Sequence, residues 1–173
     1  MRSLNPMTLL LTLLLSISLV GCGSSKKKAG AGNESSSSTQ DTDMGAENRS
    51  LEINGDSDAG KAGPLNTVYF AFNSASLSSK SRSVLKANAD FLKGSDSVEI
   101  QVEGHCDERG GVQYNLALGE KRAQAVKQYL VSMGVSSARV STISFGKERP
   151  ISFGHDELAW NKNRRANFVV TAK

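Results

Sequence analysis

Residues 65–173 of this 173-residue chain predict a two-layer α+β domain, β-α-β-α-β-β, with two helices on one face of a mixed sheet of about four strands. Three observations predict it. Short stretches alternate apolar and polar residues, as a half-buried strand does. Two longer stretches carry apolar residues near a 3.6 period, and a glycine stands just past the end of each. The 109 residues involved are a common size for one hydrophobic core.

The elements follow in order. Val68-Tyr69-Phe70-Ala71-Phe72 reads as a strand with Val68, Phe70 and Phe72 on one face, and Asn73-Ser74-Ala75 as the turn after it. A helix is expected from about Ser78 to Lys93, its stripe formed by Leu77, Val84, Leu85, Asn88, Phe91 and Leu92, with Gly94 as its stop. Val98, Ile100 and Val102 then alternate with Glu99, Gln101 and Glu103, a strand whose acidic and amide side faces water. A glycine-bounded loop over 104–111 leads to a long helix from about Asn115 to Met133, with Leu116, Ala123, Val126, Leu130 and Met133 inward and Gly134 past its end. Val140 to Phe145 is a third strand, 146–154 a loop with Pro150, Asp156 to Asn161 a helical turn, and Asn167 to Ala172 the last strand.

Upstream, residues 1–21 read as an export signal: Arg2 is basic, and Met7 to Val20 is a mostly apolar run, too short for a spanning helix of about 20 residues. Leu19-Val20-Gly21-Cys22 resembles a bacterial lipobox. That likeness implies that Cys22 receives diacylglycerol, becomes the new N-terminus and is then acylated. More than one acyl chain is needed for stable anchoring. Residues 22–64 read as that lipidated cysteine followed by a disordered tether of small and polar residues, in which only Met44, Leu51 and Ile53 are large and apolar. Such a coil would average about 35 Å end to end.

The domain holds fifteen Lys and Arg against ten Asp and Glu, so the basic balance of the chain lies there. Such a surface suits nucleic acid, an anionic envelope polymer or an acidic protein face. Export and the lack of aromatics interleaved with the basic residues argue against nucleic acid. His105, Cys106 and Asp107 are consecutive and lack metal-ligand spacing, so no metal or other cofactor is expected. A thiol enzyme built on Cys106 needs a base. Its neighbour His105 should point the opposite way, so a buried thiol is the preferred reading. Trp160 reads as a core plug, and Arg164-Arg165 with Lys162 as either an anion contact or a loop cap with solvated neighbours.

The expected site is Asp107 in the glycine-bounded loop and Arg122 on the following helix, with Asn73 and Asn115 as secondary polar groups. A carboxylate beside a guanidinium can hold a free amino-acid end, taking the ammonium on one and the carboxylate in the fork of the other. The spacing alone equally allows a structural Asp107–Arg122 ion pair.

The wording of these segments adds to that reading. Gly104-His105-Cys106-Asp107-Glu108-Arg109-Gly110, Asn115 to Ala123, Gly146-Lys147-Glu148-Arg149-Pro150 and Trp160 to Arg165 together resemble the OmpA-like peptidoglycan-binding domains, over essentially the whole of 65–173. The resemblance implies that Asp107 and Arg122 hold the diaminopimelate end of a peptidoglycan stem peptide, non-covalently and with no enzymatic step. It also implies an outer-membrane lipoprotein with its domain in the periplasm, working in the Tol-Pal system with a TolB-like partner in envelope integrity and division. The alternative is a periplasmic protein-interaction module in which Asp107 and Arg122 only hold structure. Family members often carry acids where Ala71 and Asn73 stand, so this rim is less negative and ammonium recognition rests more on Asp107.

Overall fold

A computed structural model describes residues 49–173. The expected signal, Cys22 and most of the expected tether lie outside the described residues. Strands β1 (Val68–Tyr69), β2 (Glu99–His105), β3 (Val140–Gly146) and β4 (Arg165–Ala172) form one four-stranded sheet in the order β1-β4-β2-β3. β4 runs antiparallel to both of its neighbours, while β2 and β3 run parallel. Helices α1 (Ser79–Lys93) and α2 (Val112–Ser132) pack on one face, and a short α3 (Glu157–Asn163) leads into β4. This is the predicted α+β architecture.

Local chemistry sets the element ends. Ser78 caps α1 by accepting a bond from the Ser81 amide at 3.0 Å, and Asp156 caps α3 by accepting one from Ala159 at 2.8 Å. Arg139 reaches the other end of α1, donating to the carbonyls of Leu92 (2.8 Å), Ser95 (2.6 Å) and Val98 (2.8–2.9 Å). Asn88 is fully buried inside α1 because its amide closes a two-bond ring with the Asn66 backbone, which pins the segment entering β1.

The core lies between helices and sheet: Val68, Ile100, Val102, Val140, Ala166, Phe168 and Val170 meet Leu85, Ala89, Leu92, Ala123, Val126 and Leu130. α2 comes very close to β2 at two glycines. A Cβ placed on Gly104 would stand 1.9 Å from the Gly119 carbonyl oxygen, so only glycine allows this crossing.

Three expectations change. β1 is two residues long and Phe72 is 58% exposed, because the chain turns out of the sheet after Tyr69. Asn73 then takes a left-handed φ of 52°, a conformation that asparagine tolerates. Glu103 is buried rather than solvated: it accepts a bond from Asn167 (3.0 Å) and lies 3.5 Å from His105 on the sheet face away from the helices.

The third change is the domain boundary, expected at residue 65. Residues 50–64 belong to the fold. Beyond the short β1, the edge of β4 is paired instead by this upstream segment: Asn54 and Ser57 donate to the carbonyls of Val170 (2.8 Å) and Phe168 (2.9 Å), and Val170 donates to Gly55 (3.0 Å). Ala62 and Leu65 are fully buried. Composition hid the segment because it is held mainly by backbone bonds and by Asp58, which accepts from Arg165 at 2.6 Å and Thr67 at 2.8 Å.

Candidate functional site

The site forms where β2 ends and α2 begins. A cleft of about 180 Å³ is lined by Phe72, Asn73, Asp107, Arg109, Asn115 and Arg122, among others. That is room for several waters, each of which takes about 30 Å³ in the liquid. All four residues expected at the site line this one cleft.

Arg122 forms its floor and is fully buried. Its guanidinium donates to the carbonyls of Ser74 (2.9 Å), His105 (2.7 Å) and Ala71 (3.1 Å), and to Cys106 Sγ (3.4 Å). It also lies 5.1 Å from the Phe70 ring centre. Among the described residues four of its five N–H groups are therefore used, and one on Nη2 remains. The expected two-pronged grip on a ligand carboxylate is thus corrected: the fork is spent on backbone, tying the loop after β1 to the end of β2. Burial draws the Arg122 pKa down, but a guanidinium stays charged.

Asp107 stands on another wall and is 3% exposed. No hydrogen bond or ion pair joins it to Arg122 among the described residues, so the direct structural bridge that spacing allowed is not formed. Instead Asp107 Oδ1 accepts from the Arg109 amide (3.1 Å) and Nε (3.2 Å), while Oδ2 accepts from Arg109 Nη2 (2.7 Å) and Arg164 Nη1 (3.2 Å). Burial alone would raise its pKa. The bonds from Arg109 and Arg164 outweigh that and hold the carboxyl below its ordinary value.

Asn115 is buried and its amide donates to the Arg109 carbonyl at 2.8 Å, closing the loop whose turn Gly110 makes at φ 90°. Asn73 is exposed at the mouth and accepts a bond from the Tyr114 hydroxyl.

Four residues at this site were not foreseen: Phe72, Arg109, Trp160 and Arg164. The Arg109 guanidinium lies between the rings of Phe72 (4.0 Å) and Trp160 (3.9 Å). Trp160 is half-buried at the rim rather than a core plug, and its indole N–H donates to Glu108 at 2.9 Å. Arg164 and Arg165 are both buried, Arg164 on Asp107, Glu157 and the Phe70 carbonyl, and Arg165 on Asp58. The one available signal was Arg109 itself, two residues after Asp107 in a glycine-closed loop, close enough to return to that carboxylate.

Cys106 and His105 diverge. The Cys106 thiol contacts Arg122 and donates to the Asn115 carbonyl (3.4 Å), whereas the His105 ring stacks on Phe145 with centroids 5.7 Å apart. Burial raises the Cys106 pKa and lowers that of His105. A protonated thiol without an adjacent base is a poor nucleophile. Among the described residues no group of His, Cys, Asp and Glu is placed to hold a metal ion, and no helix is long and apolar enough to cross a membrane.

A two-layer α+β domain with a buried arginine and an acidic loop at the end of its second strand defines the class. Residues 69–164 match the model of the OmpA family, and the chain belongs to that family. It is similar to the peptidoglycan-associated lipoproteins of Pasteurella multocida and Pseudomonas aeruginosa, each 48% identical over 101 residues. Those matches cover 58% of this chain and 67% and 60% of the two relatives. The crystal structure of the peptidoglycan-associated lipoprotein from Burkholderia pseudomallei is 44% identical, with a TM-score of 0.60, covering 62% of this chain and 93% of that one.

Proposed function

We propose that this protein is an outer-membrane lipoprotein that grips peptidoglycan without covalent chemistry, through the diaminopimelate end of a stem peptide in the Asp107–Arg122 cleft. One observation carries the reading: two buried opposite charges line a single small cleft and do not bond to each other. A zwitterionic amino-acid end answers both, its ammonium at Asp107 and its carboxylate toward the remaining Arg122 N–H and the field of that cation. Asn73 and Asn115 shape the mouth and the loop. Family membership and the names of the relatives support the wall as the source of that ligand.

On this reading acyl chains on Cys22 hold the outer membrane, and the domain works in the periplasm. The chemistry is mechanical coupling of envelope layers, in the Tol-Pal system and its role at division. Phe72 and Tyr114, which line the cleft, are exposed, at 58% and 55%. That apolar rim favours a second use of the same face, docking of a TolB-like periplasmic protein.

The test is sedimentation with purified sacculi. Asp107→Asn keeps the shape and removes the charge, and it is expected to abolish co-sedimentation while the far-ultraviolet circular dichroism stays native. Binding by Asp107→Asn equal to that of the unaltered chain refutes the site. Arg122→Ala is a poor test, since it strips three backbone carbonyls of their donor and should damage the fold itself.

A further inference from the structure

Asp107 has no room for a ligand ammonium as it stands. A carboxylate offers about four lone-pair sites, and all four are occupied, three of them by Arg109. We propose that the Arg109 side chain is an internal competitor: its guanidinium occupies the ammonium position on Asp107, and a ligand binds only by displacing it. This inference rests on the reading of Asp107 as the ammonium acceptor.

The surroundings say which arginine yields. Arg164 is buried and is also held by the Phe70 carbonyl, Glu157 and Asn161, so it stays and positions Asp107. The Arg109 side chain is 31% exposed and sits on a loop. Its place between Phe72 and Trp160, above a carboxylate, is a cage for any organic cation, and an alkylammonium suits it as well as a guanidinium does. Glu157 Oε2, 3.8 Å from Arg109 Nη2, gives the displaced side chain a second carboxylate.

The arrangement makes Arg109 a specificity determinant. A simple amine only exchanges one cation for another at Asp107 and gains little. A zwitterionic end gains the same exchange plus the contact of its carboxylate with Arg122. The internal arginine therefore sets a threshold that penalises lone amines and admits the amino-acid end.

The chain contains a single tryptophan, Trp160, stacked on Arg109, so its fluorescence reports the displacement directly. The full chain in detergent is titrated with two tripeptides, L-Ala-γ-D-Glu-meso-diaminopimelate and L-Ala-γ-D-Glu-L-Lys. In the unaltered chain the first is expected to shift Trp160 emission and the second to leave it nearly unchanged. Arg109→Gln is expected to start from the shifted emission. By isothermal titration calorimetry, which needs no displacement signal, it should bind the diaminopimelate peptide on the order of tenfold tighter, as for a site open in about one molecule in ten. It should also bind the lysine peptide measurably. Arg109→Lys keeps a cation on the loop and should stay close to the unaltered chain. Equal or weaker binding by Arg109→Gln, with Asp107→Asn abolishing it, overturns the competitor and leaves the site standing. Full binding by Asp107→Asn overturns both.

Discussion

Arg122 shows how a cation is kept inside a protein without a bonded ion pair among the described residues: three carbonyls and a thiol solvate it, and the loop after β1 is fixed as a by-product. Its neighbour across the strand, His105, is the opposite case. Among the described residues neither ring nitrogen has a hydrogen-bond partner, and burial holds its pKa below the ordinary histidine value despite Glu103 beside it. The consequence for pH has a definite sign. The unfolded chain takes up the proton near pH 6.5, while the folded one resists, so stability is complete above that pH and falls as pH drops through about 6.5. Exposed His155, raised by Glu108, works in the opposite sense and screens easily. Urea midpoints measured between pH 7.5 and 5.5 should therefore fall for the unaltered chain and stay nearly level for His105→Phe. Parallel curves for the two proteins count against this account. At this scale the residues singled out from the sequence come together in one cleft, but the cation on Asp107 was not foreseen. Asp107, Arg122, Asn73 and Asn115 all line it, yet which cation sits on Asp107 depends on Phe72 and Trp160, brought in from 35 and 53 residues away.

Among the elements, the helices were legible because periodicity and caps coincide. α1 begins at the serine cap and ends at Gly94, as the pattern of Leu85 and Leu92 requires. β1 was misjudged in length, since alternation continues through Phe72 whereas pairing stops at Tyr69. Periodicity also says nothing about how deep a helix sits, and here that depth is set by the contact of Gly104 with Gly119. A Cβ on Gly104 would meet backbone, which cannot rotate aside, so α2 must shift. Gly104→Ala is expected to lose about 3 kcal/mol in urea unfolding, the upper part of the range for an overpacked interior. Because Arg122 lies one turn beyond Gly119 on the same helix, sacculus binding should weaken under conditions where the variant is still folded. Unimpaired stability in Gly104→Ala means that the crossing is looser than its geometry implies.

For the whole molecule the question is where the folded unit starts, and here composition misled. The serine, glycine and aspartate of residues 50–64 read as coil because burying side chains is what composition can reveal. Closing the edge of a strand needs only backbone, and an unpaired edge is costly and prone to association. That segment supplies three backbone bonds to β4 and contributes buried Ala62, and its Asp58 neutralises buried Arg165. Backbone bonds contribute about 1 kcal/mol each, and stripping a buried cation of its partner costs about 3 kcal/mol or more. The sum rivals the 5–15 kcal/mol that typically holds a domain together. A chain cut to 65–173 should therefore unfold at a much lower urea concentration than one comprising 49–173, or aggregate through the freed edge of β4. Asp58→Asn in the full chain isolates the electrostatic part and should lower stability by about 3 kcal/mol without touching the edge bonds. Matching urea midpoints for the two truncated chains would return the boundary to residue 65 and make the upstream segment a bystander.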